Sequence, residues 1–116
     1  MNKLKTGLIA VGCLYAGAYL GQNQLENRIE RRAVTLANEY AKHNIQVNAI
    51  APGYILTDLN KFFFETDEGK KMIELIPQKR IGFAEELDGA LLVLCSSAVS
   101  FMTGSIIKVD GGHVIG

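Results

Sequence analysis

The stretch at residues 47–59, VNAIAPGYILTDL, limits the fold more than any other part of this 116-residue chain. The apolar-rich run before Pro52 has the length and composition of a buried strand. Pro52 cannot donate to a sheet ladder and Gly53 permits backbone angles that other residues avoid, so the strand ends there. The residues that follow therefore form a loop at the carboxyl end of a strand, which is where open parallel sheets bind ligands.

Hydrophobic spacing assigns the remaining elements. Apolar residues at intervals of three and four predict helices at 25–42, 67–75 and 84–97, and strand-length apolar runs predict strands at 45–50 and 105–109. Two strands joined by a helical crossover make one right-handed parallel unit, so we predict an α/β fold with these two strands adjacent and parallel. Because a parallel sheet normally has more than two strands, the pattern is typical of the end of a doubly wound domain.

Composition argues against several functions. Twelve Lys and Arg balance twelve Asp and Glu, so no net charge favours nucleic acid. We interpret Arg28, Arg31 and Arg32 as a solvated helix face. Two histidines are too few and too scattered for a metal site, and no metal ligand is predicted. Cys13 and Cys95 form no paired motif and lie in apolar surroundings, so we expect buried free thiols in a reducing compartment.

Residues 1–21 do not follow this pattern. A basic start precedes an uncharged run at 6–21, which is shorter than the ~20 residues that a membrane span usually needs. The segment matches a secretory signal, with residues 16–18 reading as a small-residue cleavage site. The alternatives are a Gly/Ala-rich buried helix or a segment outside the fold, and we describe the N-terminus as apolar and helical.

Two longer stretches resemble a known family. From about residue 33 to residue 112 the chain contains TLANEYAKHNIQVNAIAPGYILTDL and then IPQKRIGFAEELDGALLVLCSSAVSFMTGSIIKVDGG. The strand ending in N-A-I-x-P-G-x-x-x-T, the R-x-G turn with its acidic helix and the final D-G-G together resemble the C-terminal half of the short-chain dehydrogenases/reductases. The resemblance implies that residues 25–116 are the C-terminal part of a Rossmann-type domain, and that residues 1–24 form an apolar segment outside the family's pattern.

The resemblance also implies a cofactor. In this family the loop after that strand lies against the nicotinamide of NAD or NADP. Pro52, Gly53 and Ile55 would pack on the ring, and Thr57 would hydrogen-bond near the carboxamide or pyrophosphate. A glycine lets the backbone come close, and an apolar wall holds the ring for hydride transfer. Asn48 is expected to fix the backbone rather than to touch substrate.

The family's proton-transfer pair has no match in this sequence. That pair is Tyr-x-x-x-Lys, and its two positions fall on Gln22 and Glu26. Glutamine does not titrate, and a glutamate cannot supply the positive charge that lowers the pKa of a tyrosine. The family's glycine-rich phosphate loop is not matched either. We therefore predict no catalytic residue in this chain, and we expect Arg80 and residues 110–112 to brace the substrate loop.

Three functions remain open at this point. The first is a truncated dehydrogenase, whose family reaction is NAD(P)-linked oxidoreduction of a hydroxyl or carbonyl on a small sugar-acid, polyol or 3-oxoacyl substrate. The second is a non-catalytic protein that forms a homo-oligomer or associates with an intact relative. The third is a small exported or membrane-anchored protein that uses residues 1–21. The first two imply a cytoplasmic location.

A stability prediction follows from the same resemblance. In the family the strand at 45–50 has a neighbour on both sides, and the predicted pattern supplies a neighbour on one side. An apolar strand edge with unpaired backbone groups tends to pair with another chain. We therefore expect the isolated chain to be marginally stable or to associate.

Overall fold

The computed structural model describes residues 5–10 and 22–113. Its sheet contains three parallel strands, β1 (Lys5–Ala10), β2 (Ile45–Pro52) and β3 (Ile106–Val109). β2 lies in the centre, between β1 and β3. The predicted parallel pairing of the strands near 45–50 and 105–109 is confirmed, because β2 and β3 pair from Ala49 opposite Ile106 to Pro52 opposite Val109.

The N-terminal segment differs from the prediction. Residues 5–10 form a strand that pairs with β2, from Lys5 opposite Ile45 to Ala10 opposite Ile50, and not a helix. A short apolar run of this kind fits either structure, and pairing with a buried strand decides in favour of β. The predicted open edge at 45–50 is therefore wrong, since β2 has a neighbour on both sides.

The secretory-signal and anchor hypotheses also depend on residues 1–4 and 11–21, which lie outside the described residues. Within the part of the chain that is described, no helix combines the length and apolar character that a membrane crossing needs. The predicted boundary between residues 24 and 25 stays a prediction.

Helices connect the strands. In the described part of the chain they are α1 (Gln22–Ala41), α2 (Lys61–Phe64), α3 (Asp67–Glu74) and α4 (Asp88–Leu94). The helix predicted at 84–97 is instead divided into a 3₁₀ turn at Ala84–Leu87, α4, and a second 3₁₀ turn at Ser97–Val99. Beyond α4 the Ser96 hydroxyl donates to the Val93 carbonyl oxygen (2.8 Å) and accepts from the Ala98 N–H (3.3 Å), which competes with helical hydrogen bonding.

Small residues bring α1 close to the sheet. Ala33 of α1 and Ala49 of β2 are both fully buried and belong to one core cluster, against which Ile106 of β3 packs. Between α1 and β2 the chain turns at Asn44, whose φ of 57° is left-handed. That conformation agrees with the tolerance of asparagine for positive φ after a helix end.

Side chains of β2 hold the segment that precedes β3. The Nδ2 of the fully buried Asn48 donates to the Met102 carbonyl oxygen, and its Oδ1 accepts from the Ser105 N–H, both at 3.0 Å. Gln46 Nε2 donates to the carbonyl oxygens of Val99 (2.5 Å) and Met102 (2.7 Å). The predicted role of Asn48 in fixing the backbone is therefore confirmed.

α4 contributes little of its apolar surface to the core. Leu94 is fully buried, whereas Leu92 keeps 69% of its surface exposed. Cys95 is an exposed free thiol, so the prediction that it is buried is wrong. The physical reason is that α4 ends at Leu94, and Cys95 follows as its cap on the outer side. Cys13 lies outside the described residues.

Candidate functional site

The loop at residues 52–57 leaves the carboxyl end of β2 beside the end of β3. Pro52 is the last residue of β2, and the Gly53 N–H donates to the Val109 carbonyl oxygen at 3.0 Å. A Cβ placed on Gly53 would lie 2.7 Å from the Asp110 Cα, a distance that real Cβ contacts do not reach. Glycine is therefore required here because the loop and the end of β3 approach each other closely.

The middle of the loop is bonded to the turn that contains Gly82. The Leu56 N–H donates to the Gly82 carbonyl oxygen (2.8 Å), and the Gly82 N–H donates to the Tyr54 carbonyl oxygen (2.9 Å). Ile55 is buried with its side chain against this turn, since a Cβ on Gly82 would lie 2.9 Å from Ile55 Cδ1. The structure thus brings Ile55 onto the Gly82 side of the loop.

Asn60 fixes the outgoing end of the loop. This buried side chain accepts the Thr57 N–H at Oδ1 and donates from Nδ2 to the Ile55 carbonyl oxygen, both at 2.7 Å. Sequence reasoning missed this residue. Asparagine is known for such local side-chain-to-backbone bonds in turns, so the position of Asn60 three residues after Thr57 was the available signal.

The hydroxyl of Thr57 is one of the buried polar groups near this loop that lack a hydrogen-bond partner among the described residues, and His113 Nδ1 is another. The Thr57 Oγ1 is buried and has no hydrogen-bond partner within residues 5–10 and 22–113, although the Thr57 backbone is fixed at both its N–H and its carbonyl oxygen. Buried polar atoms are normally paired, so an orphan at the carboxyl end of a parallel strand indicates a ligand atom. Such a hydroxyl can donate to or accept from a carboxamide or a phosphate oxygen.

An ion pair stabilises the turn that follows α3. Arg80 binds Glu86 in a bidentate manner, with Nη2 to Oε1 at 2.7 Å and Nη1 to Oε2 at 2.9 Å. The Phe83 N–H also donates to Glu86 Oε2 at 2.9 Å. The Arg80 hydrogen bonds, followed by that of Phe83, lower the pKa of Glu86 to about 2, and the same pairing raises the pKa of Arg80.

The end of β3 is joined to the chain that enters this turn. The Gln78 N–H donates to the Gly111 carbonyl oxygen (3.1 Å), and the Gly112 N–H donates to Asp110 Oδ1 (2.9 Å). Gly111 has a φ of 63°, and a Cβ on it would lie 3.0 Å from Ile76 Cγ2. These contacts agree with the bracing role expected for residues 110–112.

The positions expected for the family's proton-transfer pair lie on a helix. Gln22 and Glu26 both fall within α1, where the resemblance places the missing Tyr-x-x-x-Lys pair. Tyr54 is buried in the core, with its ring 5.8 Å from that of Phe64 and 5.1 Å from that of His113. Among the described residues, no three His, Cys, Asp or Glu side chains converge as metal ligands do.

Comparison with known proteins identifies the family. A sequence model of the family described as enoyl-(acyl carrier protein) reductase matches residues 28–113, which is most of the chain. This chain belongs to the short-chain dehydrogenase/reductase family. The loop at 52–57 and the bracing of 80–112 described above all lie within the matched span.

Relatives of known activity match the same part. The 2-dehydro-3-deoxy-D-gluconate 5-dehydrogenase of Dickeya dadantii is 46% identical over 78 residues, which are 66% of this chain and 31% of that protein. The 3-oxoacyl-(acyl-carrier-protein) reductase of Aquifex aeolicus is 44% identical over 78 residues, 67% of this chain and 31% of that protein. The chain therefore spans about a third of the length of these curated relatives.

A solved relative matches over a longer span. The gluconate 5-dehydrogenase of Burkholderia cenocepacia, in complex with NADP and tartrate, is similar with a TM-score of 0.79 at 26% identity. The match covers 96% of this chain and 46% of that one. The expected parallel α/β fold is confirmed, and the nicotinamide cofactor expected for the family is present in this relative.

Proposed function

We propose that this chain is the C-terminal part of an NAD(P)-dependent oxidoreductase domain, in which the loop at 52–57 forms the nicotinamide side of the cofactor site. The observation that carries the proposal is the buried Thr57 hydroxyl, which has no hydrogen-bond partner in the described part of the chain, on a backbone that Asn60 holds at the carboxyl end of β2. A carboxamide or pyrophosphate group would satisfy that hydroxyl.

The other residues of the loop fit the same group. Pro52 and Gly53 are half-buried and keep part of their surface open, whereas Ile55 is buried and supports the loop from the Gly82 side. When bound, the nicotinamide supplies or accepts the hydride. The chain's own residues orient the ring and hold its polar group, and the hydrogen bonds of Leu56 and Gly82 keep the loop in place for that task.

We propose a small hydroxy or oxo compound as the substrate of the complete domain, of the sugar-acid, polyol or 3-oxoacyl type. The support comes from the named activities of the relatives, which include a dehydrogenase of a deoxygluconate and a reductase of 3-oxoacyl thioesters. Both act on a hydroxyl or carbonyl carbon.

We further propose that the chain is truncated relative to an active enzyme and is inactive alone. Gln22 and Glu26 stand at the positions of the proton-transfer pair, and general acid–base help is typically worth ~10²–10⁴ in rate. The test is a fluorescence titration of NADH and NADPH against the purified chain, with a turnover assay on gluconates and 3-oxoacyl thioesters. Micromolar cofactor binding, or turnover that Thr57→Ala removes, would contradict this part of the proposal.

A chimera tests the loop itself. Residues 28–113 would replace the corresponding part of the Dickeya dadantii dehydrogenase, which then supplies the rest of the domain. We expect the chimera to bind its nicotinamide cofactor, and Thr57→Ala to weaken binding by about tenfold through the lost hydrogen bond. Thr57→Ser keeps the hydroxyl and is the matched control. A folded chimera whose cofactor affinity is unchanged by Thr57→Ala would refute the role of Thr57.

A second candidate is a non-catalytic chain that associates with its own copies or with an intact relative. The observation in its favour is apolar surface beyond the core: Leu92 is 69% exposed, Val93 is about half exposed and Phe101 is fully exposed. Light scattering after size-exclusion chromatography tests it. We expect a dimer or larger species that Leu92→Ser shifts towards monomer, and a monomer at all concentrations would reject this candidate.

The proposal includes a cytoplasmic location, with export or anchoring through residues 1–21 as the alternative. Fractionation of cells that express the chain with a C-terminal tag distinguishes the two. Recovery of the full-length chain with the soluble fraction is expected. A shortened product outside the cell, or recovery with membranes, favours the alternative.

A further inference from the structure

A cavity of about 350 Å³ opens at the carboxyl end of β3, on the Gly82 side of the loop. It is bordered by Tyr54 and Ile55 from the loop, Arg80 from the turn, and Lys108 and Asp110 from the end of β3. Of the four residues that the family resemblance places at the cofactor, Ile55 alone lines this cavity. The volume of the cavity is at the lower end of ligand pockets.

The charged side chains around this cavity differ in whether they form ion pairs or hydrogen bonds. Arg80 and Glu86 bind each other in a bidentate manner and so neutralise one another. Asp110 accepts the Gly112 N–H at 2.9 Å and is part of the turn that ends β3. Lys108, in contrast, has no ion pair or hydrogen bond from its ammonium group to any described residue. The lining thus contains two cations and two carboxylates, and Lys108 is the cation whose charge is not paired with a described residue.

Neutral groups complete a binding surface. Gln78 also lines the cavity, and its side-chain amide makes no hydrogen bond to another described residue and is available as a donor. Tyr54 and Ile76, both buried, provide an apolar wall. A cation, an amide donor and an apolar wall in one small cavity match a compact ligand with one anionic group.

We propose that this cavity binds a small oxyanion, with the Lys108 ammonium as its charge partner and the Gln78 amide as a hydrogen-bond donor. The ligand carries either a planar carboxylate or a tetrahedral phosphate. Both groups present negatively charged oxygen acceptors that these donors recognise. Because Tyr54 and Ile55 form both the cavity wall and the backbone of the loop at 52–57, a bound anion also restrains that loop.

The test is an NMR titration of the ¹⁵N-labelled chain at constant ionic strength, since added salt screens a charge contact of this kind. The probes are sodium D-gluconate, sodium phosphate and the uncharged D-sorbitol, which has the carbon chain and hydroxyls of gluconate without its carboxylate. We expect saturable shifts at the Gly82, Gly111 and Gly112 amides with gluconate, phosphate or both, at roughly millimolar concentrations. D-Sorbitol is expected to produce none.

Variants identify the charge partner. Lys108→Ala is expected to weaken anion binding by about tenfold, and Lys108→Arg to retain most of it. Lys71→Ala removes an exposed lysine of α3 that does not line the cavity, and is the matched control with unchanged binding. Equal shifts with D-sorbitol, no saturable shift with either anion, or an unchanged affinity in Lys108→Ala would overturn the proposal. Lys108 is exposed, so its replacement does not endanger the core.

Discussion

The loop after β2 and the helix α4 use apolar residues in opposite ways. In the loop, Tyr54 and Ile55 are buried, and the carbonyl oxygens and N–H groups around them bond to the Gly82 turn and to Asn60. In α4, Leu94 is buried but its neighbours Leu92 and Val93 are largely exposed. The first region is explained by contacts within this chain, whereas the second presents apolar surface that these contacts do not use.

This difference indicates which residues report on folding and which report on association. A change in the loop or at Leu94 alters contacts inside the chain and is expected to change its free energy of unfolding. A change at Leu92 is expected to act on contacts between chains, because its side chain has few partners here.

The largest effect is expected at α4 itself. Leu94→Ala removes a fully buried side chain between the helix and the sheet, which typically costs about 3 kcal/mol in the free energy of unfolding. Leu92→Ala, two residues away on the same helix, is expected to change it by less than about 0.5 kcal/mol. Urea denaturation followed by circular dichroism measures both. Similar losses for the two variants would mean that Leu92 is buried in the folded chain.

A second effect concerns the close approach between the loop and β3. Gly53→Ala places a Cβ 2.7 Å from the Asp110 Cα, and relieving that overlap requires the backbone to move, at a cost of about 2 kcal/mol. Gly89→Ala in α4 is the control, because a Cβ there meets no atom within 4 Å. That control is expected to stabilise the helix slightly, by up to about 1 kcal/mol. Equal behaviour of the two variants would show that the loop tolerates a side chain at Gly53.

A third effect isolates the loop's outgoing end. Asn60→Ala removes two hydrogen bonds and leaves the Thr57 N–H and the Ile55 carbonyl oxygen without their partner, at a cost of about 1.5 kcal/mol. Asn60→Asp retains the acceptor for Thr57 but turns a buried carboxylate oxygen towards the Ile55 carbonyl oxygen, so it should be at least as destabilised as Asn60→Ala. Thermal unfolding of the three chains gives the order, and an Asn60→Ala chain as stable as wild type would contradict it.

The parts of the fold with strong local signals were predictable. β2 was found because Pro52 and Gly53 end a strand-length apolar run, and β3 because a similar run precedes Asp110. β1 was not found, because residues 5–10 fit a helix or a strand and pairing with β2 decides between them. The end of α4 at Leu94, inside the helix predicted at 84–97, agrees with Ser96, whose hydroxyl competes for backbone groups in a way that apolar spacing does not reveal.

The sequence predicts where the candidate site lies, but it predicts less well which contacts hold the site together. The Pro-Gly turn and the family motif located the loop at 52–57. The family resemblance explains glycine at position 53 by the cofactor, and the structure also explains it by contact with Asp110, which is far away in sequence. Asn60 and the cavity beside Lys108 depend on atoms that come together after folding, so no local pattern announces them.

The smallest effect, and the one most specific to the turn behind the loop, is a dependence on pH. Hydrogen bonds from Arg80 lower the pKa of Glu86 to about 2 from its ordinary value of 4.5. A depressed pKa means that the ion pair stabilises the fold fully above pH 4.5 and that this stabilisation is lost as the pH falls towards 2. The effect is modest because the two side chains keep 49% and 39% of their surface exposed to solvent.

Glu86→Gln should therefore flatten the stability curve between pH 4.5 and 2. Glu85→Gln is the control, because Glu85 has no ion pair among the described residues, and it should leave the curve unchanged. Urea midpoints measured at half-unit pH steps decide it, and parallel curves for wild type and Glu86→Gln over that interval would show that the pair does not form in solution.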